Sequence, residues 1–356
     1  MLAFHYQALP SRVVFGPGAL QQLPLEIERL GATRALVLCT PNQRDSAEQI
    51  VALLKDRAAG IFDQAVMHVP IESAEAARAK ARLTGADCCV AIGGGSTTGL
   101  AKAIALTSEL PILAIPTTYA GSEMTPIWGL TEAGMKKTGR DLRVLPRTVI
   151  YDPDLTLTLP PAMSVTSGIN AMAHCVEALY APDANPITSL MAEDAIRAIS
   201  TSLPKIVQNP SDPEARAQAL YGAWLGGSVL GTVGMALHHK LCHTLGGSFG
   251  LPHAETHTVI LPHALAYNAP AVPDAIKRLS SALQLSPSIS AAQGIFDLAQ
   301  RLGAPISLEQ LGMLRKDLDS AAALATLNPY FNPRRITCDG IRGLLEDAFT
   351  GRRPAE

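Results

Sequence analysis

The first half of the chain alternates short apolar runs with longer segments in which apolar residues recur at helical spacing. Strands are predicted at 12–15, 35–39, 65–69, 88–92, 112–115 and 148–151. Helices are predicted between them at 18–30, 44–57, 73–84 and 98–106, with glycine or proline at their ends. Such alternation is typical of a parallel sheet with crossover helices. The segments 1–7 and 12–15 flank a turn, so an alternative is a β-hairpin at the edge of this sheet.

The pattern changes beyond Pro160, where Ala-rich helical runs follow one another and no strand is predicted. A chain of 356 residues, 47% of them hydrophobic, is also too long for one ordinary core. We therefore predict an α/β domain over residues 1–155 and an all-helical domain over residues 156–356. The junction near Asp152-Pro153-Asp154 contains no low-complexity linker, so it is expected to be compact.

The charge and cysteine content indicate a small-molecule partner and a reducing compartment. Only 17% of the residues are charged and the net charge is −2, which gives no electrostatic footprint for nucleic acid or for a membrane surface. The six cysteines form no CxxC pair and lie mostly in apolar segments, as is typical of buried thiols in the cytoplasm. No signal-peptide pattern or membrane-spanning apolar run occurs, so we predict a soluble, cytoplasmic protein.

A glycine-rich turn follows the predicted buried strand at 88–92 and leads into a helix. The turn consists of Gly93, Gly94, Gly95 and Ser96. Glycines let the backbone approach a diphosphate closely, and Ser96 with the free N–H groups of the following helix can bind its oxygens. The spacing matches neither GxGxxG nor the P-loop pattern, so a tight strand-to-helix turn is the alternative interpretation.

Two hydroxyl side chains, Thr117 and Thr118, end the next predicted strand. They should lie at the same carboxyl edge of the sheet as the glycine-rich turn, which is where open parallel sheets bind nucleotides. The two neighbouring strand ends together predict a Rossmann-like dinucleotide-binding function for the α/β domain.

Six of the nine histidines fall between His238 and His263. His239 and His243 stand four residues apart and would share one face of a helix, and His253 follows beyond a Gly-Gly pair and a proline. Such a cluster can bind a divalent metal, or it can polarise and protonate a substrate. The alternative is that some of these histidines are structural, and we assign His257 and His263 to that role.

Asn170 and His174 lie four residues apart, on one face of a predicted helix in the second half of the chain. At this point the sequence resembles the iron-containing alcohol dehydrogenase superfamily and, within it, the maleylacetate reductases, over essentially the whole chain. The segments that carry the resemblance include GGGSTTGLAKAIAL, PTTYAGSEMTPIWGLTE, SGINAMAHCVEALYAPDANP, HHKLCHTLGGSFGLPHAETH and NPYFNPRRI.

The resemblance implies roles for five residues of the second domain. In the superfamily a metal is usually held by one aspartate and three histidines, and the matching positions here are Asn170, His174, His239 and His253. His243 falls on the histidine that lies beside the nicotinamide ring in the family. The resemblance also implies a homodimer.

Asn170 departs from the superfamily pattern because an amide replaces the anionic ligand. Three imidazoles with an amide form a poorer site for Fe²⁺ or Zn²⁺, so the sequence predicts that no metal is bound. Maleylacetate reductases are similar here, which implies NAD(P)H-dependent reduction of the C=C bond of maleylacetate, or of substituted analogues, to 3-oxoadipate in bacterial aromatic degradation. Their substrate is an enone that hydrogen bonds alone can activate. A metal-dependent alcohol or polyol dehydrogenase is the alternative.

These implications assign substrate contacts and proton transfer to the polar cluster. His174, His239 and His253 are expected to face the substrate together with Asn170, and His243 is the leading candidate for proton transfer. Lys240 and Arg334 are candidates for binding the substrate carboxylates, although ion pairs would explain either of them equally well.

Cofactor preference is predicted from the residue that follows the second strand. NAD-specific dinucleotide folds usually carry an acid there, whereas this chain carries Thr40. NADH and NADPH are therefore both expected to bind, and Arg44 is a possible contact for a 2′-phosphate. Lys137 is expected to reach the cofactor or the substrate, with an exposed loop lysine as the alternative.

Overall fold

The computed structural model describes residues 4–133 and 135–355. The strands are β1 (Arg12–Phe15), β2 (Ala35–Leu38), β3 (Ala58–Phe62), β4 (Cys88–Gly93), β5 (Ile112–Pro116), β6 (Ile127–Glu132), β7 (Met135–Arg140) and β8 (Thr148–Tyr151). The helices of the first half are α1 (Leu23–Arg29), α2 (Arg44–Leu54), α3 (Ile71–Thr84) and α4 (Gly95–Ser108). Those of the second half are α5 (Pro161–Ala178), α6 (Pro186–Gln208), α7 (Pro213–Thr232), α8 (Leu237–Phe249), α9 (His253–Asn268), α10 (Pro273–Ala282), α11 (Ala291–Arg301), α12 (Leu318–Thr326) and α13 (Cys338–Thr350).

Six strands form one parallel sheet in the order β1-β8-β5-β4-β2-β3. The residues of β2, β4, β5 and β8 are buried on both faces, which explains why these strands are continuous apolar runs instead of alternating patterns. The prediction of a parallel sheet with crossover helices, followed by a helical second half, is confirmed.

The third strand of the sheet differs from the prediction. It is β3, which pairs with β2, whereas the predicted strand at 65–69 is an irregular turn with positive φ angles at His68 (65°) and Val69 (47°). The Ala-Ala-Gly start of β3 has little intrinsic preference for extended structure. Its pairing with β2 therefore depends on tertiary contacts that a local pattern does not reveal.

The hairpin alternative at the N-terminus is wrong for the described residues. β1 pairs in parallel with β8, and residues 4–11 contain no strand, while residues 1–3 lie outside the described part of the chain. A hairpin does occur further along, where β6 and β7 pair as antiparallel strands. This hairpin was not predicted from the sequence.

The chain forms two compact units, and it passes from one to the other between Leu159 and Pro160. Residues 8–159 form the unit with the sheet. The helical unit comprises residues from Pro160 onwards together with the described N-terminal residues up to Gln7. No single helix among the described residues is long and apolar enough to cross a bilayer, although α7 and α8 pass that test as a pair bent by 96°.

Proline and glycine residues mark the ends of the helices that carry the polar cluster. Pro161 stands in the first turn of α5, where its missing N–H costs no hydrogen bond. α8 is followed by Gly250, which has the left-handed φ of 69° that glycine tolerates, and α9 begins directly after Pro252. The apolar faces of α8 and α9 pack in one core that includes Leu241, Leu245 and Ile260. This packing sets the positions of the histidines on both helices.

Candidate active site

The glycine-rich turn joins β4 to α4 at the carboxyl edge of the sheet. Gly93 has a φ of 144°, and a Cβ there would lie 2.6 Å from both Gln43 Oε1 and Thr97 Oγ1. A Cβ at Gly94 would lie 3.0 Å from Thr118 Oγ1. Close packing thus explains both glycines, as the tight-turn interpretation requires. At Gly95 a Cβ would meet no atom within 4 Å, so this side of the turn has open space for a ligand.

The sequence-predicted threonines are connected across this turn. Thr40, directly after β2 and Cys39, donates from its hydroxyl to Gln43 Oε1 at 3.0 Å. Gln43 Nε2 in turn donates to Oγ1 of Thr117, the residue directly after β5, at 2.9 Å. Gln43 therefore bridges two strand ends over Gly93. Sequence reasoning missed Gln43, because an isolated glutamine in a helix-start segment gives no signal of its own.

Arg44, the predicted phosphate contact, is already paired with two carboxylates. Its guanidinium donates to Asp63 Oδ2 at 2.6 Å and to Glu48 Oε1 at 2.9 Å. Asp63 follows β3 and lies close enough to Cys39 to add to the effect of burial, which raises the pKa of that thiol to about 11. The end of β2 is therefore more acidic than the sequence analysis expected, although the acid comes from the neighbouring strand.

Lys137 lies on β7, where it forms an ion pair with Glu132 of β6. Both side chains are at least half exposed. The structure does not join Lys137 to the threonines or glycines of the sheet edge through any contact among the described residues. Its role in binding stays a prediction.

The helical unit brings the predicted polar residues together. Asn170 and His174 are buried and one turn apart on α5, and His239 on α8 is buried as well. The ring centroids of His174 and His239 are 5.2 Å apart, and those of His239 and His243 are 6.1 Å apart. His243 and His253 are exposed, so the cluster extends from the surface of the helical unit into its interior.

Glu177 holds His239 in place. His239 Nδ1–H donates to Glu177 Oε2 at 2.7 Å, and both side chains are buried. The carboxylate also accepts hydrogen bonds of 2.7 Å from the backbone N–H groups of Ala236 and His238. These contacts fix the orientation and the tautomer of the His239 ring. The available signal was the one acidic residue of α5, which stands three residues after His174.

Three atoms of the cluster are buried without a hydrogen-bond partner among the described residues: Asn170 Oδ1, His174 Nδ1 and His239 Nε2. Buried polar atoms normally have partners, so such a group indicates a place for a polar ligand. Burial, followed by the nearby histidine rings, lowers the pKa of His174 well below its usual value. His174 is therefore neutral and offers one N–H donor and one acceptor.

Two further histidines lie behind this cluster. His257 Nδ1 and His238 Nε2 share a hydrogen bond of 2.8 Å, and both rings are fully buried. The His257 ring centroid lies 4.5 Å from that of His253 and 5.0 Å from that of His239. His257 thus supports the cluster from within, whereas His263 packs against Phe296.

Tyr330 is a third functional candidate, after Gln43 and Glu177, that was not predicted from the sequence. Its hydroxyl lies 3.0 Å from His243 Nδ1, and Lys240 Nζ lies 5.8 Å from the centroid of its ring. From the sequence, the segment NPYFNPRRI carries part of the family resemblance, and Arg334 is its one predicted site residue. The residue that reaches the histidine cluster is the tyrosine of the same segment.

Family models of iron-containing alcohol dehydrogenases match residues 10–153 and, for the C-terminal part, residues 164–349. The chain belongs to the iron-containing alcohol dehydrogenase family. It is 61% identical over 355 residues to a maleylacetate reductase of Burkholderia cepacia, with 100% of each chain covered. It is 57% identical to a maleylacetate reductase of Sphingobium indicum over 99% of each chain. The crystal structure of maleylacetate reductase from Agrobacterium tumefaciens is similar with a TM-score of 0.95 and 55% identity, over 99% of this chain and 100% of that one.

The family name implies iron. We therefore compared the donor atoms of the polar cluster with those that a divalent cation needs. Asn170, His174 and His239 offer neutral donors, and the buried Glu177 already accepts three hydrogen bonds. A buried cation without an anionic ligand is costly. These residues therefore fit Fe²⁺ or Zn²⁺ poorly, and no catalytic step is assigned to a metal.

A different trio, His238, Cys242 and His257, has ligand atoms within 4.8 Å of one another. The two histidines already share their hydrogen bond, and Cys242 Sγ lies 3.7 Å from His238 Nε2. Burial, followed by the charge of Glu177, raises the pKa of Cys242 well above its usual value. The thiol therefore stays protonated, and the trio is a hydrogen-bonded group that packs the interior.

Proposed function

We propose that this protein is an oxidoreductase that transfers hydride from NADH or NADPH to the C=C bond of maleylacetate and so forms 3-oxoadipate. The observation that carries the proposal is the buried amide of Asn170 at the position where the family resemblance implies a metal-binding aspartate. Full-length similarity to proteins named maleylacetate reductase supports the same conclusion.

An amide suits this reaction because it can donate hydrogen bonds, whereas a carboxylate accepts them only. The ketone of maleylacetate is conjugated with the double bond, so hydride addition at the β-carbon produces an enolate. An aspartate at position 170 would repel that negative charge. The Asn170 amide and the N–H of neutral His174 can stabilise it instead, without a Lewis acid.

The remaining histidines serve the substrate and the proton in this proposal. His239, oriented by Glu177, and the exposed His253 contribute further contacts to the substrate. His243 delivers the proton to the α-carbon of the enolate, which completes the reduction. Maleylacetate analogues with a substituent on the double bond would follow the same course.

Lys240 is the stronger candidate for a substrate carboxylate. It stands one turn before His243 on α8, it is partly buried, and no ion pair of Lys240 occurs within the described chain. Arg334 is held differently, since its guanidinium stacks 4.3 Å from the Tyr267 ring centroid and donates to the Tyr267 carbonyl at 2.7 Å. Its other N–H groups can still meet a second carboxylate.

The cofactor is assigned to the carboxyl edge of the sheet. Gly93 to Ser96 and the start of α4 face the diphosphate, and the hydroxyls of Thr40, Thr117 and Thr118 contribute polar contacts. Lys137 is kept as a further candidate. We further propose that the enzyme is a homodimer and that it acts in the bacterial cytoplasm during aromatic degradation. The six free thiols are compatible with that compartment.

A single spectrophotometric experiment tests the function. NADH and NADPH consumption is followed with maleylacetate and with a panel of alcohols and aldehydes, before and after exhaustive EDTA treatment. We expect rapid turnover of maleylacetate that survives chelation. Turnover of an alcohol or polyol that EDTA abolishes and Fe²⁺ or Zn²⁺ restores would contradict the proposal and support the metal-dependent dehydrogenase instead.

A further inference from the structure

The irregular segment 328–335 between α12 and α13 is anchored to the end of α9. Asn268, fully buried, and Asn332 exchange two side-chain hydrogen bonds of 2.9 and 2.7 Å. Tyr267 adds a hydrogen bond of 2.6 Å from its hydroxyl to the Arg335 carbonyl. A segment without regular structure is thus held at defined points. We call residues 328–335 the anchored segment.

Tyr330 is the residue of the anchored segment that reaches α8. Its hydroxyl meets His243 Nδ1 at 3.0 Å, and the two rings meet edge to face with their centroids 6.0 Å apart. Desolvation by burial, followed by the charge of Glu177, raises the pKa of Tyr330. The phenol therefore stays protonated and can donate to Nδ1. In that arrangement His243 carries its ring proton on Nε2.

The geometry points to Tyr330 as a positioning residue for the proposed reduction: it orients His243 and replaces the proton that His243 delivers. This inference rests on the proposed function. When the enolate takes the proton, the new C–H bond forms as the Nε2–H bond breaks. The phenol proton moves to Nδ1 at the same time, so the imidazole remains neutral.

The relay ends in solvent. Tyr330 is 39% exposed, so the phenolate that forms can take a proton from water and restore the starting state. Lys240 Nζ, 5.8 Å from the ring centroid, carries a positive charge that favours the transient phenolate. An enolate carbon is a far stronger base than a phenolate, so the direction of transfer is favourable.

The test compares Tyr330→Phe with the wild-type enzyme in maleylacetate reduction. The variant keeps the ring and loses the hydroxyl, and we expect kcat to fall by about 10²-fold, the lower end of the range for a positioned acid or base. KM for maleylacetate and for NADH should change by less than about twofold, since the hydroxyl acts on proton delivery rather than on binding. Phe331→Leu is the matched control on the same segment and should retain wild-type kcat.

Isotope effects distinguish this role from a structural one. Slower proton delivery in Tyr330→Phe should increase the solvent deuterium effect on kcat and suppress the effect of deuterium at the transferred position of NADH. Asn332→Ala, which releases the anchor, should also increase the solvent effect and suppress the NADH effect, as Tyr330→Phe does. Tyr330→Phe/Asn332→Ala should show no further loss of kcat beyond that of Tyr330→Phe, because both substitutions remove one contact.

Three results would overturn the inference. The first is wild-type kcat in Tyr330→Phe, and the second is a loss of kcat with both isotope effects unchanged. The third is additive loss in the double variant, which would separate the anchor from the tyrosine. Failure of the proposed function itself would be seen beforehand, as wild-type enzyme that does not reduce maleylacetate.

Discussion

The carboxyl edge of the sheet and the histidine cluster of the helical unit differ in how many of their buried polar atoms have hydrogen-bond partners. At the sheet edge, Gln43 accepts from Thr40 and donates to Thr117, Gly93 is required by packing, and Thr97 Oγ1 is the one buried atom of this turn without a partner among the described residues. In the histidine cluster, buried atoms of Asn170 and His174 have no partner among the described residues. The first arrangement presents a preformed backbone surface, which suits cofactor binding. The second leaves donors and acceptors for a reacting molecule, which suits chemistry.

The largest effect on kcat is expected from a substitution in the histidine cluster. His243→Ala should lower kcat for maleylacetate by about 10²–10⁴-fold, the usual range for a positioned acid or base, with little change in NADH affinity. Steady-state kinetics and NADH titration measure the two quantities. His263→Ala is the control, because His263 packs against Phe296 and should affect stability while kcat is kept. Near wild-type kcat in His243→Ala would remove this residue from proton transfer.

The pH dependence of stability should show the burial of His263, a histidine that packs within the helical unit. Burial lowers the pKa of His263 from 6.5 to about 4. The unfolded chain therefore binds the proton more readily, and stability present above pH 6.5 is lost as the pH falls towards 4. The loss amounts to about 3 kcal/mol at most, at 1.36 kcal/mol per pKa unit.

Denaturant unfolding at several pH values measures this contribution. His263→Leu keeps an apolar contact with Phe296 and should make the loss of stability between pH 6.5 and 4 less steep, while the other buried histidines keep their share of the acid sensitivity. An unchanged slope in the variant would show that other groups carry the acid sensitivity.

Replacing the amide of Asn170 by a carboxylate should make the histidine cluster bind a metal ion more tightly and serve maleylacetate less well. Asn170→Asp should tighten Fe²⁺ or Zn²⁺ binding by at least about 10–100-fold, because an anionic oxygen joins the imidazoles. The same change should lower kcat for maleylacetate, since the carboxylate repels the enolate. Metal titration by calorimetry and steady-state kinetics measure both effects. Equal metal affinity in the two proteins would mean that residue 170 is not a ligand position.

Two glycines of the sheet edge should behave differently. Gly93→Ala forces a side chain into a left-handed φ and against Thr97, so it should cost about 1–3 kcal/mol of stability. Gly95→Ala has open space and should keep stability while weakening NADH binding. Thermal unfolding and NADH fluorescence titration measure these outcomes. If Gly95→Ala binds NADH normally, the diphosphate does not approach the backbone at this turn.

The smallest effect is expected at the acidic end of β2. Asp63→Asn removes one of the two carboxylates that neutralise Arg44, so a 2′-phosphate should be better tolerated. The ratio of kcat/KM for NADPH to that for NADH should rise by about twofold to fivefold, as expected for a partly exposed pair worth up to about 1 kcal/mol. Lys277→Met, an exposed change in the helical unit, is the control. An unchanged ratio would place the 2′-phosphate elsewhere.

Much of the fold followed from local patterns, and the exceptions have physical causes. β4 and β5 are continuous apolar runs that burial on both faces requires, so the sequence alone located them. β3 was misplaced because its pairing with β2 outweighs a weak local preference. The β6–β7 hairpin was missed because Trp128 and Gly139 face each other across it, a pairing that no single run of residues reveals.

The kind of chemistry available can be read from the chain before it folds: a glycine turn after a buried strand, histidines at helical spacing, and an amide at position 170. These are properties of residue type and short-range spacing. Tertiary structure alone decided the partners, because Glu177 with His239, Tyr330 with His243 and Asp63 with Arg44 meet across separate elements. A hydrogen bond depends on distances of about 3 Å between atoms. Helix packing and strand pairing set those distances between residues as far as 87 positions apart.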